Sequence, residues 1–271
     1  MATKIHSTAV VHKSAQLDEN VEIAPYAVIG PDVRIGAGTF VGPHSIVEFS
    51  EIGKNNNITG NACLGTAPQD YSYHGEATRL VIGDGNIIRE GVSLHRGSPA
   101  TKITTIGSGC MFMASSHVGH DCHVGNNVIL VNCTGLSGHV HIEDKVIVSG
   151  LSGVHQFTRI GTMAMVGAGS MVNLDVLPYC RAQGDRAKLV GLNSVGLRRA
   201  GFSRETIKAI KDVYKILFFR GLRLEEAVAQ LKNTPLPPEA MKMVEFCAKS
   251  KRGFARPRML ARREASPSDD E

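Results

Sequence analysis

Nothing in this sequence of 271 residues comes near the roughly 20 consecutive apolar residues needed to cross a bilayer, so no transmembrane segment is expected. The opening MATKIHSTAV lacks the basic-then-apolar layout of a secretory signal, and the expected location is therefore the cytoplasm. The six cysteines, Cys63, Cys110, Cys122, Cys133, Cys180 and Cys247, contain no CxxC pair, which speaks against a disulfide framework and suits reduced thiols filling small interior sites. No nucleic-acid-binding motif and no interleaved aromatics accompany the basic residues, so nucleic acid is not an expected partner.

What is present is an ordinary 42% of hydrophobic residues, enough for one large core or two modest ones. The net charge of +5 is uneven, because Arg198, Arg199, Arg204, Lys208, Lys211, Lys215, Arg220 and Arg223 crowd the last third. They suit either an acidic partner or solvated helix faces, and charge alone does not choose.

The sequence repeats with a period of six. Counting from Ile106 in steps of six gives Ile106, Phe112, Val118, Val124, Leu130, Leu136, Ile142, Val148, Val154, Ile160, Val166 and Val172. All twelve are apolar, and at 42% hydrophobic content such a run has a chance probability of about 3 in 100,000. The fourth residue after each is small or β-branched: Cys110, Ser116, Cys122, Val128, Thr134, Val140, Val146, Ser152, Thr158, Ala164, Ser170 and Val176. A large residue pointing into a triangular prism, with a small one tucked beside each corner, closes coils of three hexads that stack into a parallel β-helix. The pattern recurs at Val11, Leu17, Ile23, Ile29, Ile35, Val41 and Val47, where Gly30 and Gly36 are expected to serve tight corners.

Two interruptions, 66–80 (TAPQDYSYHGEATRL) and 97–105, must leave the solenoid as surface loops, the usual carriers of binding residues. After Pro178 the hexads stop. Ile207, Ile210, Val213, Tyr214 and Leu217 then form a helical stripe behind a Ser203 cap, and further helices are expected at 224–231 and 238–248. The chain therefore reads as mainly β: a parallel β-helix over 1–178, an α-helical subdomain over 179–255, and a polar tail over 256–271 expected to be disordered.

With three hexads per coil, residue n lies over n+18, about 4.8 Å higher along the axis. One column then reads His120, Gly138, Gln156 and its neighbour Asp121, His139, Phe157. Imidazole suits removal of a hydroxyl proton near neutral pH, an adjacent carboxylate orients it, and a bare glycine amide stabilises an oxyanion, so the set suits acyl transfer. Cys122 occupies an inward position, which argues against covalent catalysis through it. His117, His120 and His123 invite a zinc reading, but their spacing spreads them over a corner and successive hexads, so neither a metal nor any other cofactor is expected.

At HVGHDC, GHVHIED, VHQF and APQDYSYHGE, and on through YCRAQGDRAKLVGLNSVGLRRAGFSRE, the chain resembles the UDP-N-acetylglucosamine O-acyltransferases of lipid A biosynthesis. The resemblance implies a left hand for the β-helix and a homotrimer with active sites in clefts between neighbouring β-helices. It also implies transfer of a 3-hydroxyacyl chain from acyl carrier protein to the glucosamine 3-position of a UDP-sugar. Carried over by position, it implies His120 as general base, Asp121 as its orienting partner and Gly138 as oxyanion donor. It places Gln69 and Asp70 in a sugar-holding loop, His117, His139, His155 and Gln156 at substrate contacts, and Asn193 and Arg199 at the nucleotide. Ala168 falls at the family's hydrocarbon ruler, with Arg186 bordering it. Three positions depart from the family pattern: Ser72 stands where Lys is usual, Val195 where Glu is common, and Arg186 where His can occur. The alternatives are an N-acyltransferase acting on a 3-amino UDP-sugar or another hexapeptide acyltransferase, one using coenzyme A among them. A silent scaffold would need no such polar set.

Overall fold

The computed structural model describes residues 2–258. Short strands, most of them two residues long, assemble into three sheets of 11, 9 and 8 strands, here A, B and C. Within the coils each strand pairs in parallel with one a full turn further along, so the chain winds as a parallel β-helix, and its hand is left. His117 lies opposite Gly135 and Gly135 opposite Gly153, a spacing of 18 residues per coil.

The hexad dictates this shape. Each large position from Ile106 to Val172 is 3% exposed or less, and each small position from Cys110 to Val176 is 2% exposed or less. Burying one such aliphatic side chain fully is worth about 1.5–3 kcal/mol, so every coil holds its neighbours by their interiors. Corners are made by residues in the left-handed backbone region at every sixth position: Ser115, Asp121, Asn127, Cys133, His139, Lys145, Leu151, Phe157 and Met163. Gly30 and Gly36 are not these corner residues. A Cβ on Gly36 would lie 2.7 Å from the carbonyl carbon of Gly53, so glycine is needed there for coil-to-coil approach, while the turn itself falls at Asp32 and Gly38.

The insertions are narrower than the hexads suggest. Thr66, Arg79 and Ile103 to Thr105 belong to strands, which leaves excursions at 67–78 and 96–102. Leu64 faces Leu94 and Leu94 faces Val118, so the first adds 30 − 18 = 12 residues to its coil and the second 24 − 18 = 6.

Residues 179–193, expected to be helical, instead form two strands. Cys180–Gln183 continues sheet A in parallel and Lys188–Leu192 returns antiparallel beside it, covering the last edge of the sheet. Helices follow: α1 Ser194–Arg199, α2 Arg204–Phe219, α3 Leu224–Lys232 and α4 Pro238–Ala248. Ser203 caps α2, its Oγ accepting from the Thr206 N–H at 3.1 Å, and Ile210, Val213, Tyr214 and Leu217 are buried. Arg256 and Arg258, placed in the tail by composition, pair with Leu189 through two main-chain hydrogen bonds of 2.9 and 2.8 Å. The rest of the expected tail, 259–271, lies outside the described residues. Among the described residues no helix is long and apolar enough to cross a membrane.

Candidate active site

The corner between sheets B and C holds the candidate residues His120 and Asp121. His120 Nδ1 lies 2.6 Å from Asp121 Oδ2, and the Asp121 side chain is fully buried. Its other oxygen accepts from the Ser98 N–H at 3.0 Å, the Thr101 N–H at 3.3 Å and the Thr101 hydroxyl. Burial pushes the carboxyl up, but the hydrogen bonds from Ser98, Thr101 and His120 outweigh it and hold Asp121 below the usual carboxylate range. An ionised Asp121 at Nδ1 keeps a proton on that nitrogen, which leaves Nε2 as the basic one.

Gly138 stands one coil above. A Cβ there would come within 2.6 Å of His120 Nε2, so any side chain would blanket that nitrogen. The ladder bond at this point runs from the His139 N–H to the His120 carbonyl at 2.9 Å, and the Gly138 N–H has no acceptor among the described residues. A base and an uncommitted donor thus face the same space, a cleft of about 480 Å³ lined by Gln69, His95, His117, His120, Gly138 and Gln156.

Other expected residues surround it. His117 Nδ1 is 2.8 Å from the Ser93 hydroxyl; burial lowers its basicity and the Ser93 bond opposes that. The His139 ring stacks on Phe157 at 4.6 Å and meets His120 edge-on, while its Nε2 lies 3.6 Å from Asp121 Oδ2, beyond hydrogen-bonding range. Asp70 Oδ1 accepts from both the backbone N–H and the hydroxyl of Ser72 at 2.9 Å, and these bonds hold its carboxyl below the usual range. Ser72, standing where a lysine was expected, therefore orients the carboxylate. His155, beside Gln156, has Nδ1 2.9 Å from Arg252 Nη2. The same nitrogen lies 3.1 Å from the Gln156 carbonyl oxygen.

Four expected residues are not brought into the cleft of one chain. Asn193 caps α1, accepting from the Gly196 N–H at 3.1 Å and donating to the Met163 carbonyl at 3.0 Å, and Arg199 is exposed at the end of that helix. Asn193 and Val195 line a separate cavity of about 400 Å³ with Arg181 and Gln183. Ala168 and Arg186 are exposed; Ala168 lies at the corner between sheets A and B, across sheet B from His120.

Sequence reasoning missed His95 and the donors Ser98 and Thr101. Adding the 24-residue separation between Leu94 and Val118 to the map would have placed His95 under Gly119. His95 is 6% exposed and its Nδ1 has no partner among the described residues. Burial, reinforced by His117, His120 and Arg96, lowers its pKa to about 4, so it is neutral at neutral pH and offers hydrogen bonds rather than basicity.

His120, Asp121 and His139 are the described residues whose donor atoms cluster closely enough to suggest a metal. The 2.6 Å spacing of His120 Nδ1 and Asp121 Oδ2 is that of a hydrogen-bonded pair, and the second Asp121 oxygen is occupied by Ser98 and Thr101 donors. The donor set therefore fits proton transfer better than ion binding. His123 turns away on sheet C, bonded to Thr105 and stacked on His141 at 4.6 Å, so it does not join His117 and His120. The Cys122 thiol, pushed up to about 12 by burial, is no nucleophile.

Comparison with known proteins gives a consistent result. Residues 175–255 match the family model for domain 2 of UDP-N-acetylglucosamine O-acyltransferase, and residues 14–48 and 103–138 match bacterial transferase hexapeptide repeats. The chain is similar to the acyl-[acyl-carrier-protein]–UDP-N-acetylglucosamine O-acyltransferase of Herminiimonas arsenicoxydans, 47% identical over 93% of this chain and 99% of that one. It is 50% identical to the enzyme so named from Myxococcus xanthus, with the same coverage. Among solved structures it is similar to the UDP-N-acetylglucosamine O-acyltransferase of Moraxella catarrhalis, with a TM-score of 0.89, 41% identity and coverage of 93% and 99% of the two chains. The Francisella novicida acyltransferase also has a TM-score of 0.89, with 39% identity and coverage of 93% and 94%.

Proposed function

The chain belongs to the UDP-N-acetylglucosamine O-acyltransferase family, and from that premise we propose that it transfers a 3-hydroxyacyl chain from acyl carrier protein to the 3-hydroxyl of UDP-N-acetylglucosamine, opening lipid A biosynthesis. His120 Nε2 takes the proton of the sugar hydroxyl as its oxygen attacks the thioester carbonyl. The Gly138 N–H receives the oxyanion, and the His120 imidazolium, steadied by Asp121, returns the proton to the departing thiolate. The observation that carries this reading is the 2.6 Å His120–Asp121 pair with its free nitrogen under the bare Gly138 amide.

Gln69 and Asp70 take the acceptor sugar in this reading, and His117, His139, His155 and Gln156 complete the substrate contacts. Asn193 and Arg199 hold the nucleotide from the adjacent subunit of a homotrimer, and Ala168 with Arg186 limits the acyl chain. In support of subunit packing, the outward column on sheet B holds Val10, Val28 and Ile46, 61%, 37% and 39% exposed, and continues through Cys63 and Ser93 to His117. A neighbour covering that stripe would also roof the cleft. Lys211, Lys215 and Arg220, beside a cavity of about 550 Å³ floored by Tyr214 and Phe219, suit docking of an acidic carrier protein. The unpaired cysteines accord with action in the reducing cytoplasm.

The test is turnover of UDP-N-acetylglucosamine with a panel of acyl carrier protein thioesters, run beside the matching coenzyme A thioesters. Ester formation at the 3-hydroxyl with the carrier-bound donors is expected. Transfer from coenzyme A alone would replace this reading with that of a coenzyme A-dependent enzyme.

A further inference from the structure

Arg96 opens the excursion at 96–102, yet its side chain, 8% exposed, is spent on the other excursion. Its Nη1 donates to Glu48 Oε1 at 3.1 Å and to the Gly65 carbonyl at 2.7 Å. Its Nη2 and Nε donate to the Tyr73 hydroxyl oxygen at 2.9 and 3.3 Å, and the guanidinium lies 4.5 Å from the centre of the Phe49 ring. The Gly65 carbonyl is presented by a bulge, since the register slips between Leu64 and Thr66. Gly65 has φ of +74° and a Cβ there would collide with the Glu48 carbonyl, so this residue must be glycine.

Tyr73 is the junction of the 67–78 excursion. Its N–H donates to the Asp70 carbonyl at 3.1 Å and its hydroxyl donates to the Glu76 carbonyl at 3.0 Å, which leaves the phenolic lone pairs for Arg96. One buried cation therefore fixes the residue that joins the two arms of the loop. The segment that supplies this cation also supplies Ser98 and Thr101, the donors that hold Asp121. A single stretch of chain thus registers the Gln69–Asp70 loop against the base.

We propose that Arg96 is a positioning residue for the sugar acceptor, acting through the Tyr73 hydroxyl. The proposal rests on the acceptor role given above to Gln69 and Asp70. Losing a hydrogen bond to a charged group weakens binding by about tenfold or more when that bond sets the site's geometry.

Tyr73→Phe removes one oxygen and keeps the ring; Arg96→Lys keeps the charge and loses the fork. For the full-length protein, calorimetry with UDP-N-acetylglucosamine, steady-state kinetics and hydrogen exchange of the 67–78 amides separate the possibilities. Each single variant is expected to raise the acceptor Kd and KM about tenfold and to speed exchange in the loop, with the KM for the acyl donor changed by less than about twofold. Because both act through one contact, the double variant should bind no more than about twofold worse than the weaker single variant. Faster exchange with unchanged acceptor affinity, or fully additive losses, would overturn the positioning role while leaving the acyltransferase reading intact. Absence of UDP-sugar binding by the wild type would overturn both.

Discussion

His120, the proposed base, has Nδ1 on a buried carboxylate and lines the cleft. His120→Ala is expected to lower kcat by about 10²–10⁴-fold while the protein keeps its size and its unfolding midpoint. A variant retaining more than half the wild-type rate would remove His120 from the mechanism. His95 makes a different prediction, because its folded pKa of about 4 is depressed from an ordinary 6.5. Between those values the unfolded chain binds a proton that the folded chain refuses, so His95 contributes stability above about pH 6.5 that is lost as pH falls towards 4, up to about 3 kcal/mol. Thermal unfolding across that window should show the loss, and His95→Phe should flatten it; an equally steep decline in the variant would assign the effect elsewhere. Ala168 bears on chain length. If it lines the end of the acyl groove, Ala168→Gly should move the preferred 3-hydroxyacyl donor longer and Ala168→Met shorter, at roughly 0.8 kcal/mol per methylene admitted or refused. Competition between carrier-bound donors of graded length measures this, and an optimum fixed in both variants would take Ala168 out of the groove.

At the scale of the element, a two-residue strand has little stability of its own and depends on the coils above and below. Phe112 on sheet A is fully buried between Ile88 and Leu130. Phe112→Ala should cost about 3–5 kcal/mol in urea denaturation, since a stacked prism has little freedom to collapse around the gap. A cost below about 1 kcal/mol would show a loosely filled interior. The two excursions illustrate how elements serve the site without regular structure. The segment 96–102 has no periodic pattern to mark it, yet Ser98 and Thr101 on it keep ionised the Asp121 carboxylate that bonds His120.

At the scale of the whole molecule, Asn193 and Arg199 sit at α1, held over the turn at Met163, and not in the cleft that contains His120. If both groups serve one acceptor, they come from different subunits. Coexpressing His120→Ala with Arg199→Ala chains should then restore activity to about a quarter of wild type, because that fraction of randomly formed sites joins an intact His120 to an intact Arg199. No recovery in verified mixed oligomers would place both residues in a site within one chain. The period-six pattern alone pointed to the β-helix, since a large and a small inward position in every hexad fill a three-sided coil, and the n+18 map alone stacked Gly138 over His120. The ends of the excursions, the two strands at 180–192, and the hydrogen bonds from Ser98, Thr101 and Arg96 were decided by tertiary structure. Inward positions repeat because each coil sets the same steric demand on the next, whereas a loop's contacts depend on where insertions of twelve and six residues happen to land, which no local periodicity encodes.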